Sequence, residues 1–219
     1  MFLGHYAVGL AAKKAAPHLS LGTLFFATQF LDLIWPIFLL LGLEHVRIHP
    51  GLTAFTPLDF YDYPLSHSLL VVLGWATLLG CIHYLFRQRI LDALMIALGV
   101  GSHWVLDLIT HRPDLPLAPG SKTLVGLGLW NSVFWSVLVE GLLFIVGVIL
   151  YVRATRAVDK TGRWAFYVLI GFLALIWMAN IFSPPPPNVQ VIAFSGLGLW
   201  LFIPWACWVD RHRKFVGRL

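Results

Sequence analysis

The chain has 219 residues, 59% of them hydrophobic and only 11% charged, with a formal net charge of +5. A soluble domain carries roughly a quarter charged residues, so this composition excludes an ordinary soluble enzyme or binding module and points to a polytopic membrane protein. Its two cysteines, Cys81 and Cys207, each sit in an apolar run, which supports neither a disulfide framework nor a cysteine-rich zinc site.

In chain order, the first element is MFLGHYAVGLAAKKAAP, which is apolar first and basic afterwards, the reverse of a cleavable signal. It falls short of the ~20 residues needed to cross a bilayer. The expectation is a short membrane-embedded or interfacial helix carrying His5. Six apolar spans follow, at 20–43, 64–86, 91–110, 130–152, 164–182 and 190–209. The first holds Asp32, four residues before a Pro36 expected to kink it. The loop 44–63 is the longest and is rich in aromatic and acidic residues. The second span opens on YPLSHSLL with His67, and His83 near its far end reads as an interfacial residue beside Arg87.

The third span closes on SHWVLDLITHRPDLP, where His103, Asp107 and His111 recur every four residues and would stack on one helical face. Glu140 stands mid-way along the fourth. The run SPPPPN at 183–188 reads as a stiff turn. There is no internal repeat. The reading is an all-α polytopic helix bundle, about six transmembrane helices plus the short N-terminal helix. Residues 1–219 form one integral membrane domain, with the motif-bearing core in 1–152 and two further spans in 164–209.

The basic residues fall unevenly about these spans. Lys13, Lys14, Arg87, Arg89, Arg153, Arg156, Lys160, Arg163, Arg211, Arg213, Lys214 and Arg218 lie on one side, whereas Arg47, Arg112 and Lys122 lie on the other. The positive-inside rule places the richer side, and both termini, in the cytoplasm. The positive charge therefore reports topology, and no nucleic-acid partner is expected.

Glu44, Asp59, Asp62, Asp114, Asp159 and Asp210 fall in loops or at ends, and Asp92 opens a span, leaving Asp32, Asp107 and Glu140 inside the hydrophobic segments. By the helical rise, Asp107 lies roughly 5 Å and His103 about 10 Å below the outer end of the third span. His67 is similarly shallow, while Asp32 and Glu140 are on the order of 15 Å deep. Unpaired carboxylates at such depths resist ionisation, and a divalent cation would neutralise them. Mixed His/carboxylate ligation suits zinc, with manganese or iron as alternatives, and the donors suffice for one to two ions. Interhelical hydrogen bonds, with Ser66 and Ser102 included, are the plainer explanation of the same residues.

The stretches GH at 4–5, QFLDLIWP at 29–36, SHSLL at 66–70 and SHWVLDLITHRPDLPLAP at 102–119 resemble the family of inner-membrane metal-dependent hydrolases linked in bacteria to LexA regulation. That resemblance runs to about residue 120 and on through Glu140, and it implies His5, Asp32, His67, His103 and Asp107 as the site. It also implies the bacterial cytoplasmic membrane as the location. The ligand order is similar, more distantly, to the zinc-dependent phospholipase C and single-strand nuclease superfamily. This second resemblance implies that Asp32, His67, His103 and Asp107 hold a first metal, Asp107 and His5 a neighbouring one, and His111 with Glu140 a third position. The superfamily has His-x-x-x-Glu at that third position, where this chain has Ser136, and its amino-terminal tryptophan is absent here.

The expected activity is hydrolysis of a phosphoester in a lipid or lipid-linked substrate by a metal-activated water, at a site open to the outer face. Asp32 or Glu140 would act as general base and Arg112 would pair with the phosphate. Metal or proton transport is the competing class, since buried His and carboxylates also build membrane pathways. A non-catalytic metal-stabilised scaffold, with four ligands closing the coordination sphere, is the third. The sequence carries no sign of oligomeric state.

Overall fold

The structure, a computed structural model, describes residues 1–216, so Arg218 of the basic set lies outside the described residues. The chain opens with α1 (Phe2–Ala12) and α2 (Leu21–Leu40), the latter capped by Ser20, whose Oγ accepts the Thr23 N–H at 3.0 Å. A hairpin of β1 (His45–Ile48) and β2 (Leu58–Asp62) leads into the one-turn α3 (Pro64–His67), then α4 (Leu69–Arg87) and α5 (Ile90–Thr110). The short pair β3 (Leu115–Pro116) and β4 (Leu124–Val125) precedes α6 (Val133–Ala154). After β5 (Thr155–Ala157) come α7 (Lys160–Phe182), α8 (Val189–Leu197), α9 (Phe202–Arg211) and β6 (Arg213–Phe215). A 3₁₀ stretch, Gly198–Leu201, joins α8 to α9.

Among the described residues, six helical segments are long and apolar enough to cross a membrane: α2, α4, α5, α6, α7 and the continuous run Val189–Arg211. The helical reading therefore holds, with three two-stranded antiparallel pairs added in the connections. α2 is the hub. It packs against α1, α5, α8 and α9 and runs unbroken through Pro36, whose ring lies against Gly196 of α8. Buried side chains form two clusters, one led by Leu31, Val72, Val100 and Leu115, the other by Tyr6, Phe25, Phe166 and Leu169.

Two expectations need correction, each for a local physical reason. The second span does not begin at residue 64, because Ser68 adopts extended backbone (φ −72°, ψ 139°) and separates α3 from α4. Its hydroxyl donates to the Pro64 carbonyl at 2.6 Å, and the Leu70 N–H pairs with the Leu117 carbonyl at 3.0 Å across the break. His111 does not stack above Asp107. The helix ends at Thr110, and His111 turns to ψ 147° as its C-cap. Of the two placements expected for the short N-terminal helix, the embedded one is found, since Leu3, Tyr6 and Leu10 are buried inside the bundle between α2, α5 and α6.

The connections gather at two ends. At one, Lys13 Nζ donates to Asp210 Oδ2 at 2.8 Å and β5 pairs with β6, so the basic segments meet there. At the other, the β1–β2 hairpin, α3, the connection carrying His111 and Trp130, and the proline run surround a cavity.

A candidate metal centre

α5 sets the frame. His103 and Asp107 stand one helical turn apart, both buried, and His103 Nε2 lies 3.2 Å from Asp107 Oδ2. Asp32 reaches in from α2 with its Oδ1 3.6 Å from His103 Nε2. The break at Ser68 aims His67 inward, and its Nε2 lies 3.7 Å from both Asp32 Oδ1 and Asp107 Oδ2. His5 arrives on α1, its ring stacked 3.6 Å from that of His103 and its Nε2 3.1 Å from Asp107 Oδ1. The Met1 amino group lies 2.6 Å from the same oxygen. Five of the expected site residues thus converge from four helices. They form two overlapping groups with metal-ligand spacing: His5, His103 and Asp107, and Asp32, His67 and His103.

The remaining nitrogens decide which atoms are free to bind. His103 Nδ1 lies 2.8 Å from the Thr28 carbonyl, which can only accept, so Nδ1 carries the proton. In the neutral ring its Nε2 then offers a lone pair, and that atom is buried with no hydrogen-bond partner among the described residues. His67 Nδ1 lies 2.7 Å from Ser66 Oγ, whose own proton goes to Glu44 Oε2 at 2.6 Å. Ser66 therefore accepts from Nδ1–H, and His67 Nε2 likewise presents a lone pair.

Two lone pairs facing two carboxylates would repel. Either a cation or two extra protons must sit between them. Three of the four separations, at 3.6–3.7 Å, are too long for hydrogen bonds. Four ligand atoms around a tetrahedral zinc, with bonds of ~2.0–2.1 Å, stand about 3.3 Å apart, close to the spacing seen here.

The other expected residues lie elsewhere. Glu140 is buried beside α1, where its Oε2 accepts the Leu3 N–H at 2.9 Å and Oε1 has no partner among the described residues. It belongs to neither ligand group. His111 is held at the cavity mouth by Asp114, 2.9 Å from its Nδ1, and its ring stands 4.3 Å from that of Trp130. Tyr63 donates to the same Asp114 oxygen at 3.1 Å. Burial, and then the adjacent Asp114 charge, push the Tyr63 phenol well above its usual range and keep it a donor. Arg112 is held between Asp59 and Asp114, so its charge is already matched within the loops.

A cavity of about 560 Å³ opens over the cluster. Asp32, His67, Asp107 and Glu140 form its polar floor, and Trp35, Phe60 and Trp130 rise as an aromatic wall. Ile176, Ile192 and Leu199 close another side, which gives the last two spans a role their sequence did not announce. Asp32 is the most open carboxylate of the cluster, its side chain 26% exposed. Sequence reasoning passed over Glu44 and Tyr63. Both lie in a loop whose hairpin pairing, His45 opposite Asp62, brings them to the site.

A buried polar cluster roofed by connecting loops, on a frame of six apolar helices, defines an integral membrane protein of the helical-bundle class. Residues 63–184 match the family described as YdjM inner membrane protein, and the chain belongs to that family. The matched segment carries His67, His103, Asp107, His111 and Glu140, while His5 and Asp32 precede it. No curated protein and no solved structure matched the chain in the same comparisons.

Proposed function

We propose that the protein is a membrane-embedded, metal-dependent hydrolase acting on a phosphoester of a lipid or lipid-linked substrate. The observation that carries the reading is the orientation of His67 and His103, whose Nδ1 partners turn two Nε2 lone pairs toward Asp32 and Asp107 on a cavity floor. These four side chains would hold the ion, and His5 with the second Asp107 oxygen would contribute to a neighbouring position. Zinc best fits two imidazoles and two carboxylates, with manganese or iron as substitutes. When bound, such an ion supplies an activated water and polarises the phosphoryl oxygen under attack.

The chain's own contribution is orientation and shape. Thr28 and Ser66 fix the imidazoles, and Glu140, on the cavity floor and outside both ligand groups, would take a proton from an attacking water. A polar floor beneath apolar and aromatic walls suits a headgroup whose acyl or isoprenoid chain remains in the bilayer. The imbalance of basic residues supports a cavity that opens on the outer face, with both ends of the chain in the cytoplasm.

The test is metal content by mass spectrometry on detergent-purified protein, paired with chelator-sensitive phosphate release from phospholipids and lipid-linked phosphates. His103→Ala and Asp107→Asn should lower occupancy strongly, while His83→Ala and His212→Ala should leave it unchanged. Wild type without metal, or full occupancy in both His103→Ala and Asp107→Asn, would overturn the metal reading. Metal or proton flux in proteoliposomes without any cleaved product would replace the hydrolase by a transporter. Metal retained without cleavage or flux would leave a scaffold.

A further inference from the structure

We propose that Glu44 is a positioning residue that sets the protonation pattern of His67 through Ser66, an inference that rests on the metal-site reading above. Glu44 follows α2 in the sequence and belongs to a loop, yet it is 1% exposed. The reason is a cross-chain cap. α3 begins with Pro64, which has no N–H, and its N-cap residue Tyr63 makes no side-chain cap bond. The next two amides, Leu65 N–H and Ser66 N–H, both donate to Glu44 Oε1 at 2.7 Å. The other oxygen, Oε2, takes the Ser66 hydroxyl proton at 2.6 Å. With its proton committed there, Ser66 Oγ can only accept from the His67 ring nitrogen 2.7 Å away.

The consequence is directional. A carboxylate at position 44 accepts at both oxygens, and the relay delivers a proton on His67 Nδ1 and a lone pair on Nε2. Glu44→Gln keeps the shape and reverses the relay. The amide oxygen must occupy the Oε1 position, because two N–H groups donate to it. The amide NH₂ then faces Ser66 Oγ and donates to it. The Ser66 proton is displaced toward His67 Nδ1, the remaining acceptor on that hydroxyl among the described residues. His67 must then carry its proton on Nε2, aimed at Asp32 and Asp107, where a metal ligand needs a lone pair.

The experiment uses full-length protein with ¹⁵N-labelled histidine, stripped of metal in detergent, with His67→Ala to assign the resonances. Wild type should carry a proton on His67 Nδ1, and Glu44→Gln should leave Nδ1 unprotonated with the proton on Nε2. Ser66→Ala retains both Glu44 bonds to the α3 amides and removes the relay, so His67 should lose its single preferred form. Zinc titration should then show affinity reduced about 10- to 100-fold in both variants. An unchanged His67 pattern in both variants overturns the inference, even if zinc affinity falls, because Glu44 would then serve only to hold α3. If the pattern reverses in Glu44→Gln but wild type binds no zinc, the positioning role stands and the metal reading fails.

Discussion

Replacing Gly147 with alanine should loosen the candidate metal centre without altering any residue in it. Gly147 of α6 faces the backbone of α1. A Cβ there would stand 2.6 Å from the Ala7 carbonyl oxygen, 2.8 Å from its Cα and 3.0 Å from its carbonyl carbon. These are main-chain atoms, so no rotamer change relieves the overlap. Ordinary contact begins at 3.4 Å, and α1 must therefore withdraw by about 0.8 Å. The same helix carries Leu3, whose N–H is 2.9 Å from Glu140, and His5, whose Nε2 is 3.1 Å from Asp107. A displacement of that size along either contact carries it beyond hydrogen-bonding range. Overpacking of this kind costs about 1–3 kcal/mol, which corresponds to a midpoint lower by on the order of 5 °C for a chain of this length. Thermal unfolding in detergent would measure it, with Gly171→Ala in exposed α7 as the control, since nothing lies within 4 Å of that position. Gly147→Ala melting with wild type, or no lower than the control, would refute the packing of α1 against α6 and with it the position of His5.

Glu140→Gln keeps an acceptor for the Leu3 N–H and should fold and retain metal while losing turnover, whereas Glu140→Ala orphans that buried amide and should lose about 1–3 kcal/mol in the same melting assay. On topology, Thr53→Cys should react with an impermeant thiol reagent outside whole cells and Lys160→Cys should not, and the opposite labelling would turn the cavity toward the cytoplasm. At the basic end, the Gly162 N–H and then His212 hold the exposed Asp159 carboxyl below its ordinary range. Because the folded value is depressed, the cap is complete above the ordinary carboxylate range and is lost as pH falls through the folded value. A carboxyl NMR titration should find Asp159 below the ordinary range of a free aspartate, and a midpoint within or above that range would contradict the cap.

The spans were legible because transfer of a helix into lipid depends on the summed character of about 20 consecutive residues, which a linear string records directly. His103 and Asp107 were legible as a pair for a related reason, since one turn of helix guarantees their proximity whatever surrounds them. The same periodicity misplaced His111. Whether a helix continues for one more residue depends on the loop that receives it, and here the Gly128 N–H donates to the His111 carbonyl at 2.7 Å as the chain turns away.

That Asp32, His67 and His5 share a point with α5 was an inference from ligand order, and only the packing of α1, α2 and α3 around that helix brings them together. Arg112 and Glu44 show the limit most clearly. Arg112 was expected to pair with a phosphate and Glu44 read as a loop charge, but the first is neutralised by Asp59 and Asp114 and the second is buried against α3. Hydropathy and helical period are properties of neighbours along the chain. The partner of a buried charge is chosen across tens of residues by whichever donors the fold leaves unsatisfied, and that choice exists only once the helices have packed.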